Sequence, residues 1–277
     1  MTSLADNWPL EGSFDFRGDA VRYGVQGSGP DLLLVHGTPF SSYVWHRIVP
    51  ALSNAWRVHV FDLLGYGQST MRDGQDVSLG IQNQVLAAFI AHRGLHRPTV
   101  VAHDFGGATS LRSHLLDGIA FNHLLLIDPV AIRPWGSPFV RHVAQHEAAF
   151  QGIPGYIHEA IVARYLRGAV LRSMSDEELQ PYVAPWLGPV GQPAFYRQIA
   201  QMDQRYTDEI EAALPGIGCP VSILWGEADE WIPVAQARKL QSMIPGAVLD
   251  TVPRSGHLMQ EDAPAAILAA IHRLAQA

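Results

Sequence analysis

A single cysteine, Cys219, stands in a chain of 277 residues, so no internal disulfide can brace the fold, which fits a reducing compartment. Cys219 sits beside an apolar run and reads as a packing residue rather than a nucleophile. Basic charge is also scarce: 19 Lys and Arg stand against 26 Asp and Glu, for a formal net charge of -7. That deficit offers no broad cationic face to nucleic acid or an anionic membrane, and a small, mostly uncharged substrate suits it better. No run approaches the ~20 apolar residues that span a bilayer, and Met1 to Phe16 carries neither the basic start nor the apolar stretch of a secretory leader. A cytoplasmic protein with no membrane partner is the expectation. Internal repeats, low-complexity tracts and long charge runs are missing too. His103, His114, His146 and His158 show no metal-ligand spacing, so no metal and no cofactor are expected. Gly65-Tyr-Gly67 is half a dinucleotide fingerprint, but Thr70 stands where the third glycine belongs.

With 48% hydrophobic and 16% charged residues, the chain can bury one sizeable core. Short apolar runs recur at Leu32 to Val35, Val58 to Phe61, Thr99 to Ala102, Leu124 to Ile127, Val221 to Trp225 and Val248 to Val252, and they read as strands buried on both faces. Segments of helical spacing separate several of them: Gln82 to His92, Ala108 to Leu116, Ala235 to Met243 and Pro264 to Leu274. Strand then helix, repeated, predicts an α/β fold with a doubly wound, mostly parallel sheet. An antiparallel start over Ser13 to Tyr23, punctuated by Gly24, Gly27 and Gly29, would cover one edge. Between Ile132 and Leu214 the strand pattern stops, aromatic residues accumulate, and Ser173-Met-Ser-Asp-Glu-Glu has the form of a helix start. The expected organisation is a core of residues 1–131 and 215–277 with a helical cap, 132–214, inserted between strands.

The string Val100-Val-Ala-His-Asp104-Phe-Gly-Gly107 is a buried strand that ends in small-x-Asp-x-small and opens a helix. A sharp turn of this kind strains its central residue and needs small neighbours, which Ala102, Gly106 and Gly107 supply. Such a nucleophile elbow ordinarily presents serine; this one presents Asp104, and a helix-capping aspartate is the plainer alternative. Two further strings favour the elbow. Gly226-Glu-Ala-Asp229 follows the Val221 strand, and Ser255-Gly-His257 follows the Val248 strand. Nucleophile, acid and histidine, each just past the carboxyl end of a strand, can converge on one edge of a parallel sheet. Asp128, after the Leu124 strand, is an alternative acid. A fourth string, Val35-His36-Gly37-Thr38-Pro39, places the Thr38 N–H where, with that of Phe105, it can form a two-donor oxyanion hole.

From about Phe14 to the C-terminus the chain resembles the α/β-hydrolase superfamily, and within it the branch with an aspartate nucleophile. His36-Gly-Thr-Pro-Phe-Ser-Ser-Tyr-Val-Trp45, Phe61-Asp-Leu-Leu-Gly-Tyr-Gly-Gln-Ser69 and Gly256-His-Leu-Met-Gln-Glu-Asp262 carry the resemblance. It implies the α/β-hydrolase fold and a hydrolase in which Asp104 attacks a saturated carbon, His257 as general base activates water, and Asp229 orients the imidazole. Epoxide hydrolases, haloalkane dehalogenases and haloacetate dehalogenases share that plan. Haloalkane dehalogenases usually hold halide with Asn at the position of Thr38 and Trp at that of Phe105, so a halide here would need another donor, Trp135 or Trp186. Haloacetate dehalogenases carry arginines where Phe105 and Ala108 stand, which disfavours an acidic substrate. Epoxide hydrolases use two cap tyrosines as acids, and Tyr156 and Tyr196, the latter in Ala194-Phe-Tyr196-Arg, are the candidates. Epoxide hydrolysis to a diol is the reading by elimination, with haloalkane dehalogenation as the alternative by the same alkyl-aspartyl ester. A ligand-binding protein on an inactive hydrolase scaffold is the rival of another class. The expected partners are a small molecule and water.

Overall fold

A computed structural model describes residues 8–274. Eight strands form one sheet: β1 (Gly12–Phe16), β2 (Asp19–Gln26), β3 (Asp31–Val35), β4 (Arg57–Phe61), β5 (Thr99–His103), β6 (His123–Ile127), β7 (Val221–Gly226) and β8 (Val248–Val252). Their order across the sheet is β1-β2-β4-β3-β5-β6-β7-β8. β1 and β2 pair antiparallel, β2 joins β4 antiparallel, and the remaining neighbours run parallel. The Leu, Val and Ile of β3, β5 and β6 are buried, as strands covered by helices on both faces must be. β8 departs from that expectation. It is the edge strand, Val248 is 59% exposed, and its apolar run is short enough to sit at a border.

The register sets the working edge. Val35 lies beside Ala102, His103 beside Ile127, Ile127 beside Leu224, and Gly226 beside Val252. The carboxyl ends of β3, β5, β6, β7 and β8 therefore finish nearly level, and the loops after them face one another.

Between β6 and β7 the described elements are helical: Pro138–Gln145, Glu147–Gln151, Gly155–Arg167, Asp176–Val183, Gly188–Ala200 and Arg205–Glu211, with short 3-10 turns. Ser175 caps its helix in both directions, its side chain accepting from the Glu178 N–H while Glu178 accepts from the Ser175 N–H. Among the described residues, no helix is long and apolar enough to cross a membrane.

Candidate active site

Asp104 follows β5 and opens the helix Phe105–Leu115 with φ 51° and ψ -119°, a conformation that strains any residue bearing a Cβ. The strain is held by bonding on both sides. The Asp104 N–H donates to the Ile127 carbonyl, and the Asp104 carbonyl accepts from Gly107 and Val130. Glycine is needed nearby: a Cβ on Gly106 would lie 2.4 Å from the Val35 carbonyl oxygen, and one on Gly37 would lie 2.3 Å from the Asp104 Cβ. The elbow predicted from small-x-Asp-x-small thus forms because the helix and the β3 loop both press on the turn.

The Asp104 carboxylate is buried, and its two oxygens have different surroundings. Oδ1 accepts the Thr38 N–H at 2.7 Å, and the Phe105 N–H also hydrogen-bonds the carboxylate. Oδ2 lies 3.3 Å from His257 Nε2. Burial opposes the charge, but the bond and charge of His257, with the Phe105 amide, hold the Asp104 carboxyl below its ordinary range. On the far side of the ring, His257 Nδ1 donates to Asp229 Oδ2 at 2.8 Å. Asp229 Oδ1 in turn accepts the N–H groups of Trp231 and Ile232. Burial disfavours the imidazolium, yet the Asp229 and Asp104 carboxylates outweigh it and push His257 well above its usual value.

Asp128, the alternative acid, has no hydrogen bond to the imidazole among those described. Its Oδ1 accepts the Gly226 N–H at 2.8 Å, whereas its buried Oδ2 has no partner. Burial first, then the neighbouring Asp229 charge, raises its carboxyl well above the normal range. The buried His36 braces the loop after β3, donating from Nδ1 to the Gly37 carbonyl and accepting the Leu63 N–H at Nε2. His103 is buried and driven down to about 3 by desolvation, so it is neutral and donates to the His257 carbonyl.

A cavity of about 40 Å³ opens over Asp104, with Phe105, Trp135, Tyr165, Met202, Trp231 and Ile232 on its walls. Of the four cap aromatics singled out from the sequence, only Trp135 lies on it. Tyr156 is 74% exposed at the start of its helix. The Tyr196 hydroxyl is buried against His158 Nδ1 at 2.9 Å, and the Trp186 indole donates to the Pro39 carbonyl at 2.8 Å. Those three are corrected from substrate contacts to residues of the surface or of cap packing. The Trp135 indole N–H is also occupied, donating to Thr207 at 2.9 Å.

Three residues not anticipated complete the site. Tyr165, on the helix Gly155–Arg167, stacks on Trp231 at 4.6 Å, and Trp231 stacks on His257 at 4.9 Å. The Tyr165 ring also lines a second, apolar groove of about 430 Å³ with Phe139, Ile157, Ala160 and Ile161. Burial and the Asp104 charge push its phenol up, so it remains a hydroxyl donor at neutral pH. Gln198 reaches from the helical insert to the loop after β3, accepting from the Thr38 hydroxyl at 2.5 Å and from Tyr66 at 3.2 Å. The sequence signals of the three were slight: Tyr165 is one of the aromatics that accumulate between Ile132 and Leu214, and Trp231 lies two positions after Asp229. Among the described residues no group of three or more His, Cys, Asp or Glu is placed to hold a metal ion, and Cys219 is half-buried with its thiol raised by burial.

The model of the alpha/beta hydrolase family matches residues 32–270. The chain belongs to that family. This hydrolase is 28% identical over 283 aligned positions to haloalkane dehalogenase 2 of Mycobacterium bovis, covering 95% of its own length and 94% of that protein. An alpha/beta hydrolase fold protein of Burkholderia ambifaria, solved as a crystal structure, is 56% identical, superposes with a TM-score of 0.92, and is matched over 95% of this hydrolase and 97% of that chain. A putative ancestral haloalkane dehalogenase shares the fold with a TM-score of 0.79 at 23% identity, with 96% of this hydrolase and 99% of that chain covered.

Proposed function

We propose that this hydrolase works through an ester formed between Asp104 and a saturated carbon of its substrate. The observation that carries the reading is the division of one carboxylate, with Oδ1 held by the Thr38 N–H at 2.7 Å and Oδ2 left 3.3 Å from His257 Nε2. An ionised carboxylate needs no base to attack, and Oδ2 displaces the leaving group as the new carbon–oxygen bond forms. His257, steadied by Asp229, then takes a proton from water, whose oxygen adds to the Asp104 Cγ. The negative charge collects on Oδ1, where the Thr38 and Phe105 amides already point. Collapse releases the product alcohol and restores the carboxylate with one oxygen from water.

The leaving group we favour is an epoxide oxygen. Tyr165 lines the cavity and its phenol stays neutral, so we assign it to protonate the alkoxide as the ring opens, giving a diol after hydrolysis. The second reading, release of halide from an alkyl halide, draws on the similarity to haloalkane dehalogenase 2. Against it stand the Trp135 and Trp186 indoles, both spent on protein acceptors.

One set of measurements separates these readings. Single turnover in ¹⁸O water is expected to place the label in Asp104, and His257→Gln to accumulate an adduct on Asp104 visible by mass spectrometry. Tyr165→Phe is expected to slow epoxide opening about 10²-fold and leave halide release unaffected. Chloride release without diol supports the second reading, and an unlabelled Asp104 under turnover ends the ester mechanism.

A further inference from the structure

The loop that carries His257 is tied to the helical insert at both of its flanks. On one side of the histidine, Leu258 N–H donates to the Ala169 carbonyl at 2.7 Å. On the other, a Cβ on Gly256 would lie 2.9 Å from that same carbonyl oxygen, so the two chains are in close contact. Asp262 Oδ2 accepts both the Gly256 N–H and the Leu171 N–H at 2.8 Å, and its Oδ1 accepts the Arg172 N–H at 3.1 Å. One aspartate therefore joins the backbone before His257 to the backbone of the insert.

Glu261 makes a second tie. Its side chain is 1% exposed, yet neither oxygen is stranded: Oε1 accepts the Tyr182 hydroxyl at 2.6 Å, and Oε2 takes the Arg172 guanidinium at 2.6 Å with Arg47 at 3.2 Å. Tyr182 and Arg172 belong to the insert, whereas Glu261 lies four positions after His257 in the core. The Tyr182 ring meets Phe40 edge-on at 5.8 Å, Phe40 stacks on Trp231 at 6.2 Å, and Trp231 stacks on the imidazole. The insert thus reaches His257 through the loop's bonds and through a row of rings.

We infer that Glu261 and Asp262 are positioning residues that lock the His257 loop to the insert, and that this lock serves the hydrolytic half of the reaction rather than the attack by Asp104. The inference rests on the ester mechanism proposed above. Attack depends on Asp104, which is fixed by its own elbow and by the Thr38 amide, and among the described hydrogen bonds neither Asp104 nor Thr38 bonds Glu261 or Asp262. Water activation depends on the imidazole lying in line with the ester, and a small misplacement of a catalytic group costs orders of magnitude in rate. Loosening the lock therefore slows one step and spares the other.

Two variants test this: Tyr182→Phe removes one hydroxyl and keeps the ring, and Glu261→Gln weakens the whole cluster. Thermal melting shows that each is folded, and Tyr182→Phe decides alone if Glu261→Gln is not. Rapid quench with a terminal epoxide or alkyl halide is expected to show ester formation within about twofold of wild type. Ester hydrolysis is expected to fall about fivefold in Tyr182→Phe and tenfold or more in Glu261→Gln, so that the adduct builds up. A residue that only supports the fold lowers the melting temperature and leaves the ratio of the two rates alone, which overturns the inference. A readout without substrate is the low-field proton of the His257–Asp229 hydrogen bond in the NMR spectrum. It is expected to broaden by exchange in both variants, and its persistence unchanged refutes the lock. If wild type forms no ester with any epoxide or halide, the ester mechanism fails, and that proton still decides whether the imidazole is held from the insert.

Discussion

In the proposed mechanism, alkylation of Asp104 would remove one of the two negative charges that hold the proton on His257, and the consequence can be measured residue by residue. Asp104→Asn, which imitates the uncharged ester, is expected to lower the His257 pKa in an NMR titration, and Asp229→Asn to lower it as well, because each takes a carboxylate from beside the ring. In that mechanism the attack would convert the histidine into a base at the moment one is required. When ester hydrolysis limits kcat, kcat then falls as pH drops through the His257 pKa of the alkylated enzyme. Asp128 gives the opposite sign. Its folded-state pKa is raised, so the native state keeps a proton that the unfolded chain releases near its ordinary value, and stability declines as pH rises above that value. Asp128→Asn is expected to raise the melting temperature at pH 7, to change it little at pH 4, and to retain turnover, whereas Asp229→Asn is expected to cost ~10³ to 10⁴ in kcat. Retained activity in Asp229→Asn with loss in Asp128→Asn would reverse that assignment. Asp104, Asp229 and His257 were legible in the sequence because each sits just past a strand end, where main-chain topology alone fixes the neighbourhood. Tyr156 and Tyr196 were not, since the direction of a side chain on a short helix depends on what packs around it. Tyr196 spends its hydroxyl on His158, and Tyr156 faces outward.

At the scale of the elements, the β3 loop and the helix after β5 approach so closely that glycine is the only residue that fits between them. Gly37→Ala would drive a methyl to 2.3 Å from the Asp104 Cβ and 2.5 Å from its Oδ1. The variant is expected to fold, as followed by circular dichroism, and to lose about a hundredfold or more in kcat because the Asp104 carboxylate and the Thr38 amide are pushed apart. Unaltered kcat would show that the contact does not set the geometry. The parallel strands announced themselves through continuous apolar runs, and the hairpin of β1 and β2 through its turn residues. β8 misled because an apolar run at a sheet border has the same composition as one at the centre. The insert was recognisable by the loss of the strand pattern, but its packing was not, since Gln198 and Tyr165 act through partners more than sixty positions away in sequence.

Taken whole, the molecule keeps its proposed chemistry on loops before Ala131 and after Pro220 and sets its cap over them, so the size of what reacts is governed by the insert. The cavity at Asp104 is about 40 Å³ and the outer groove about 430 Å³, with the Tyr165 ring common to both. Tyr165→Ala is expected to raise kcat/KM for bulky substrates relative to small ones, and an unchanged ratio would show that the ring is no barrier. That partition has a further consequence for traffic. The outer groove is lined by Phe139, Ile157, Ala160, Ile161 and the Tyr165 ring, so it favours an apolar reactant, whereas the diol of the proposed reaction would have to shed hydration to linger there. If the proposed epoxide chemistry holds, that vestibule acts as a polarity valve, and inhibition by accumulated diol is expected to be far weaker than competition by an unreactive alkane of the same length.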